Sequence, residues 1–524
     1  MHLDHDQCHA ALAARDARFD GVFFTGVKTT GVYCRPMCPS RTPRSRNCRF
    51  FASSASAEAA GFRPCLRCRP ERAPGQSPVD QPQRVAAWAV QQIRSGSLRA
   101  GMSLDSLASA SGLSPRHFRR LVSDTLGVAP MQLVQTTRLL IAKHLLTDTS
   151  LHITDIALAS GFGSVRRLQG TLKSRYALTP TQLRARSTPP PSTGGFAFTL
   201  EYREPLDWAR LLAFLDVRAI PGVEIVQGLT YARTWRISPR AKPGWFRASA
   251  SPGTGRLRVE CAEILAPHAA ALIGSIRRLF DLDARPDVIS SVLGADPMLE
   301  PSVRANPGLR VPGCVDGFEL ACRAVLGQQV SVAAARTLAG RVAGTFGEPI
   351  HTPIAGLTHL TPSPRTLATA GASTLAKLGL TGARAECLAR LAARADAGTL
   401  PLLATPEPEA AIATLRDNPG IGDWTAQYIA MRALRWPDAF PAGDLVLRRM
   451  LARAGALSPK AALLHAERWR PWRAYAAMHA WNLLTLDSER ARSASEGLTN
   501  TQTPPRRAHS PRARTRSTSR KAHA

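Results

Sequence analysis

The chain has 524 residues, a length that suggests three or four domains. Lysine and arginine exceed aspartate and glutamate by 30, a field that favours polyanions, nucleic acid or an anionic membrane surface, and says nothing about fold. No apolar run nears bilayer-spanning length and residues 1–20 lack a basic-then-apolar leader. No membrane partner is therefore expected, and a reducing cytoplasm is, where cysteines serve metals more often than disulfides.

The first element is a cysteine constellation. Cys34 and Cys38 form one close pair and Cys65 and Cys68 a second, a spacing that closes a tetrahedral zinc site; Cys8, Cys48, Cys261, Cys314, Cys322 and Cys387 have no such pairing and read as structural. A purely structural zinc knot is the plain alternative. Against it, Arg35, Arg41, Arg44, Arg46, Arg49, Arg63, Arg67 and Arg69 crowd the same stretch. The runs F-F-T-G-V-K-T-T-G-V-Y-C-R-P-M-C from Phe23 and G-F-R-P-C-L-R-C from Gly61 resemble the N-terminal domain of the bacterial Ada family. The resemblance implies a small zinc-bound α+β domain over residues 1–75, in which Cys34 is both ligand and methyl acceptor. The chemistry agrees: zinc keeps a thiolate deprotonated at neutral pH, and four thiolates on one Zn²⁺ sum to about two negative charges. That charge repels an ordinary phosphate and admits a neutral methyl phosphotriester, and methylation of Cys34 weakens the repulsion so that the arginines grip DNA harder.

Pro70 to Pro82 carries four prolines and reads as a linker. An internal repeat of about fifty residues follows. S-L-D-S-L-A-S-A-S-G-L-S-P-R-H-F-R-R from Ser103 is echoed by I-T-D-I-A-L-A-S-G-F-G-S-V-R-R-L from Ile153, each with an apolar helix, a turn at Gly112 or Gly161, then an arginine-rich helix. This is a helix-turn-helix pattern twice over, its second helices suited to the major groove. R-L-L-I-A-K-H-L-L from Arg138 and the closing L-T-P-T-Q-L-R resemble the AraC class of regulators, implying an all-α double helix-turn-helix domain over 80–186. Candidate base readers are Arg116, His117, Arg119, Arg120, Arg166 and Arg167. Leu168 and Leu172 stand where that class commonly has phenylalanines, and the core is expected to survive.

Ser187 to Gly195 is a second linker. Alternation in F-A-F-T-L-E-Y, T-Y-A-R-T-W-R-I and G-R-L-R-V-E-C predicts a small antiparallel sheet over 195–305, with helices at Asp207 to Leu215 and near Ala269 to Phe280. From Asp316 the chain reads as helical to about Leu486, within a domain spanning 306–488. There, Pro419, Gly420, Ile421 and Gly422 form a tight turn between two helical runs, which can present backbone N–H groups to a phosphate; a plain helix connector is the alternative. Asp444 precedes L-V-L-R-R-M-L and reads as a helix N-cap, a position that also stabilises negative charge.

The hairpin P-G-I-G-D-W-T-A with Asp444, together with L-G-Q-Q-V-S-V from Leu326 and R-W-R-P-W-R-A-Y-A-A-M-H-A-W from Arg468, resembles the helix-hairpin-helix DNA glycosylases of the AlkA type, over roughly Gly195 to Leu484. The likeness implies an α+β subdomain followed by an all-α helix-hairpin-helix domain, with Asp444 as the catalytic carboxylate and Trp424, Tyr428 and Trp481 receiving a flipped base. Ordinary glycoside hydrolysis uses two carboxyl groups, but a ring-alkylated base is cationic and leaves unaided, so one suffices. Whether Asp444 stabilises the sugar cation or activates water stays open. Trp424 stands where strand-nicking relatives have a lysine, which implies base removal without lyase activity. Gln329 stands where AlkA-type enzymes have an intercalating leucine, so insertion is expected to be weaker or to fall to a neighbour. Asp423 adds a negative charge beside the hairpin.

Residues 489–524 read as a disordered basic tail; Thr501 to Ala524 holds seven basic residues and no acidic ones. The combined expectation is a multidomain bacterial DNA-alkylation repair protein and regulator, nucleoid-associated and cytoplasmic. Its cofactor would be Zn²⁺ and its partners alkylated double-stranded DNA, promoter sites and RNA polymerase. The rival reading is a transcription regulator whose C-terminal half binds alkylated DNA without cutting it. Blander still is a zinc-stabilised DNA-binding protein with no methyl transfer.

Overall fold

The computed structural model describes residues 4–483, apart from 17–18, 21–22, 52–53, 69, 71–80, 95–102, 186–194, 252 and 453–454. The basic tail and most of both linkers therefore lie outside the described residues, as does Arg69. Two compact units divide at Ala480 and Trp481, and the second is described only for 481–483. Among the described residues no helix is long and apolar enough to cross a membrane.

The N-terminal segment builds a four-stranded sheet from β1 (Phe24–Val27), β2 (Val32–Cys34), β3 (Cys48–Phe51) and β4 (Arg63–Pro64), in the order β3-β1-β2-β4. β2 and β4 run parallel, with Tyr33 opposite Pro64. That single register brings Cys34, the last residue of β2, beside Cys65, the first residue past β4.

Among the described residues seven helices follow, from Gln81–Arg94 to Pro180–Arg184. Their starts are written in the sequence: Ser103, Ser114, Ser164 and Thr179 each cap a helix by accepting the N–H three residues on. Gly112 and Gly161 adopt φ of +70° and +84° at the two turns, a conformation that disfavours side chains. Leu168 and Leu172 are fully buried, so the leucines do pack the core.

A second, antiparallel sheet comprises β5 (Gly195–Glu201), β6 (Glu224–Gln227), β7 (Thr230–Trp235), β8 (Gly244–Ser251) and β9 (Arg256–Ala262), in the order β5-β9-β8-β7-β6. The expected helices appear as Trp208–Asp216, capped by Asp207, and Ala269–Leu279. Strands β6 and β8 were not legible: β6 has only four residues, and β8, though its burial alternates from Phe246 to Ala250, is built largely of Gly, Ala and Ser, which are weak strand formers.

The regulator-like helices do not hang free. Leu139, Leu145, Leu168 and Leu172 share one apolar core with Phe196, Phe198 and Phe246 of the second sheet. Trp88 Nε1 donates to the Ala404 carbonyl at 2.6 Å, and Arg84 pairs with Glu407 at 3.0 Å just ahead of the helix Pro408–Arg416. The sheet is bolted to the helix Gly317–Leu326 by a buried network in which Arg233 bridges Glu224 (3.1 Å) and Glu319 (2.6 Å), while Arg323 joins both acids. Burial alone would raise the Glu319 carboxyl, but Arg233 and Arg323 outweigh it and hold it at about 2.

His479 is buried with Nδ1 3.0 Å from Ser302 Oγ, and burial pushes its pKa down from 6.5 to about 4. As pH falls through that window the unfolded chain takes up a proton that the folded chain refuses, so stability falls with pH, by up to about 3 kcal/mol. Hydrogen exchange of residues 473–480 at about pH 7 and about pH 5 should show this loss, and His479→Gln should flatten it. An unchanged pH slope in that variant removes His479 as the cause.

Candidate metal centre and nucleic-acid interface

The sulfurs of Cys34, Cys38, Cys65 and Cys68 all lie within 4.8 Å of one another, and all four residues are buried. A tetrahedral Zn–S site with bonds of ~2.3 Å needs sulfurs roughly 3.8 Å apart, so the donor set fits zinc in number, type and spacing. Without a cation the crowded thiols cannot ionise together. Sulfur hydrogen bonds with Cys38 and Cys68, then burial, push the Cys34 thiol far up, while hydrogen bonds from Cys34 and Cys68 pull Cys38 far down. The backbone N–H of Arg35 donates to Cys68 Sγ at 3.4 Å.

The surrounding arginines divide. Arg41, Arg44, Arg46, Arg49, Arg63 and Arg67 are exposed, but Arg35 is buried against Asp20, its Nε 2.7 Å from Oδ1. Its charge is spent inside the domain, which corrects its inclusion among residues available to a phosphate. Among the helix-turn-helix candidates, Arg116, His117, Arg120, Arg166 and Arg167 are exposed; Arg119 is exposed too, but engages Asp105 at 2.6 Å.

In the helical region, Asn418 to Gly422 joins the helices Pro408–Arg416 and Asp423–Arg432. Ile421 is buried and holds the turn down, while Pro419, Gly420 and Gly422 are exposed. Gly420 has φ of +94°, and a Cβ there would stand 2.8 Å from Cys387 Cβ, so only glycine lets the turn lie this close to the helix Gly382–Asp396. The helix Asp423–Arg432 has no side-chain cap, which leaves its first-turn N–H groups to an outside acceptor. Asp423 is partly offset by Arg416 at 3.8 Å, an exposed pair of little energetic weight.

Asp444 caps the helix Leu445–Met450 by accepting the Leu447 N–H on Oδ1 at 2.9 Å, and Oδ2 accepts Trp424 Nε1 at 3.0 Å. Trp424 lies 5.3 Å from Tyr428 with 7° between the rings, so the two form one stack and each covers a face of the other. The stack covers one face of each ring. Arg432 donates to the Tyr428 hydroxyl at 2.7 Å and is itself fixed by the carbonyls of Pro312 and Gly313. Burial would raise the Tyr428 hydroxyl, but Arg432 and Arg218 outweigh burial and hold it below the usual tyrosine range. Sequence reasoning missed Arg432, although Trp424, Tyr428 and Arg432 are spaced i, i+4, i+8 on one helical face. Gln329 stands exposed at the tip of the turn 327–331 with φ of +53°. Trp481 falls in the second unit, where it is half-buried.

Comparison with known families matches four successive stretches of the chain. The metal binding domain of Ada matches residues 7–71, a helix-turn-helix domain 107–186, the AlkA N-terminal domain 197–316, and the HhH-GPD superfamily of base excision DNA repair proteins 322–474. A Mycobacterium tuberculosis protein described as a probable bifunctional transcriptional activator/DNA repair enzyme AlkA is 39% identical over 493 residues, covering 92% of this chain and 97% of that relative. Escherichia coli DNA-3-methyladenine glycosylase 2 is 38% identical over 288 residues, 54% of this chain and 96% of its own. Among solved structures, Escherichia coli Ada in complex with DNA is 35% identical and covers 26% of this chain and 93% of that one, with a TM-score of 0.21. The thiolate cluster of the Ada-type domain is a Zn²⁺ site.

Proposed function

Since the chain belongs to the family of bifunctional AlkA-type transcriptional activators and DNA repair enzymes, we propose that it removes N-alkylated purines from DNA and, separately, takes methyl groups from DNA phosphotriesters to control its own DNA binding. The observation that carries the first half is Asp444, held between the Leu447 N–H and the Trp424 indole beside an aromatic stack. In that reaction the bond between the sugar C1′ and the base nitrogen breaks, and the base leaves neutral. Water adds to C1′ and gives up its second proton to solvent, while Asp444 carries the negative charge that the sugar cation requires.

In the second reaction Cys34 Sγ attacks the methyl carbon of a phosphotriester. The C–O bond breaks, the phosphodiester leaves as an anion, and a thioether remains on the protein. Bound Zn²⁺ supplies the charge that keeps the sulfur a thiolate at neutral pH. Cys34, Cys38, Cys65 and Cys68 hold it. Loss of one negative charge then favours phosphate contact by the exposed arginines around the site, and the helix-turn-helix unit directs the methylated protein to promoter DNA and RNA polymerase.

Trp424 occupies the position of a Schiff-base lysine, and an indole nitrogen is no amine nucleophile. Incubation with alkylated duplex should therefore release free base and leave an abasic strand that breaks only on treatment with alkali. Strand breakage by the protein alone, trapped by borohydride as a covalent adduct, defeats that part of the proposal. Release of no base at all favours the non-catalytic regulator instead.

A further inference from the structure

The helix Gly317–Leu326 ends in the turn 327–331, ahead of the helix Val332–Phe346. The tip of this turn is uncharged: Gln329, Val330, Ser331 and Val332 are all exposed, the two valines by 37% and 42%. On a chain of net charge +30, an exposed apolar tip is chemistry for base faces rather than for phosphates. The preceding residue turns the other way. Gln328 donates its side-chain amide across to the hairpin, to the Gly420 carbonyl at 2.8 Å and to Thr425 Oγ1 at 3.1 Å. Its own carbonyl accepts Arg384 Nη2 at 2.6 Å, from the helix that carries Cys387 beneath Gly420. One residue thus ties the apolar tip to two supports, its side chain reaching the hairpin and its backbone carbonyl the helix beneath the hairpin.

We infer that Gln328 is a positioning residue for base extrusion: it fixes the span between the hairpin, which holds the DNA backbone, and the Gln329–Val330 tip, which enters the base stack as the damaged base leaves it. The inference rests on the glycosylase reading above and adds to it a residue that touches neither base nor sugar. Extrusion from a paired duplex costs a few kcal/mol and much less where the base is already unpaired. A lost staple should therefore slow excision from paired DNA and spare excision from unpaired DNA.

The test is single-turnover excision by the full chain from an oligonucleotide carrying one N-alkylated purine, either paired or opposite an abasic gap. Gln328→Ala removes both donors; Gln328→Glu keeps the size but sets an acceptor against the Gly420 carbonyl. Gln328 is only half-buried, so neither change opens the core. Both variants should excise about 10–100-fold more slowly from paired DNA and stay within about threefold of wild type on the gapped substrate. The fluorescence rise of a 2-aminopurine placed beside the lesion should shrink in parallel on paired DNA. Equal losses on both substrates, or none on paired DNA, overturn the inference. A wild-type chain that excises from neither substrate removes the glycosylase reading, and this one with it.

Discussion

Asp444→Asn should slow release of free alkylated base by about 10²–10⁴-fold while leaving binding to alkylated duplex close to wild type. Asparagine keeps an oxygen to accept the Leu447 N–H, so the helix Leu445–Met450 retains its cap. What it loses is the negative charge next to the sugar. Its amide also cannot accept from Leu447 and from Trp424 through two oxygens, so one of the two bonds is given up, a loss of about 1 kcal/mol against the far larger loss in rate. Chromatography of released bases measures the effect directly. Equal rates in the two proteins would remove Asp444 from the chemistry and leave the Trp424–Tyr428 stack as a binding feature only.

The second large effect concerns sulfur. Cys34→Ala should abolish transfer of labelled methyl from methylated DNA to protein, whereas Cys8→Ala and Cys48→Ala should leave it intact. Among the four clustered cysteines, the geometry disfavours Cys68, which is fully buried and whose sulfur already accepts the Arg35 N–H. Cys34 is the last residue of the inner strand β2 and, with Cys65, keeps more exposure than Cys38 and Cys68. Removing a ligand also weakens metal binding, so zinc content and methyl uptake are measured on the same samples. Stoichiometric methyl uptake by Cys34→Ala, at any zinc content, assigns the acceptor role to another cysteine.

Much of this was legible because the chemistry is written in short local patterns. The spacing of Cys34, Cys38, Cys65 and Cys68 needs only thiols and a turn, and Gly112, Gly161 and Gly420 occupy backbone conformations that select glycine from sequence alone. The seryl and threonyl caps work over three residues. Asp444 as an N-cap is likewise a local fact.

Contacts between distant segments were not legible. Arg35 looked like one more basic residue until the fold set Asp20 against it, and nothing in the spacing said that Trp424 and Tyr428 lie ring on ring. Gln328 reaches Gly420 across 92 positions of sequence, and Trp88 reaches Ala404 across 316. The sequence by itself determined which residue types could hold a metal, cap a helix or turn a chain, since these depend on a residue and its near neighbours. Only the tertiary structure decided which charges are neutralised, which aromatic faces are covered and which loops are tied together. Those outcomes depend on desolvation and on packing between segments whose separation along the chain carries no signal of their approach.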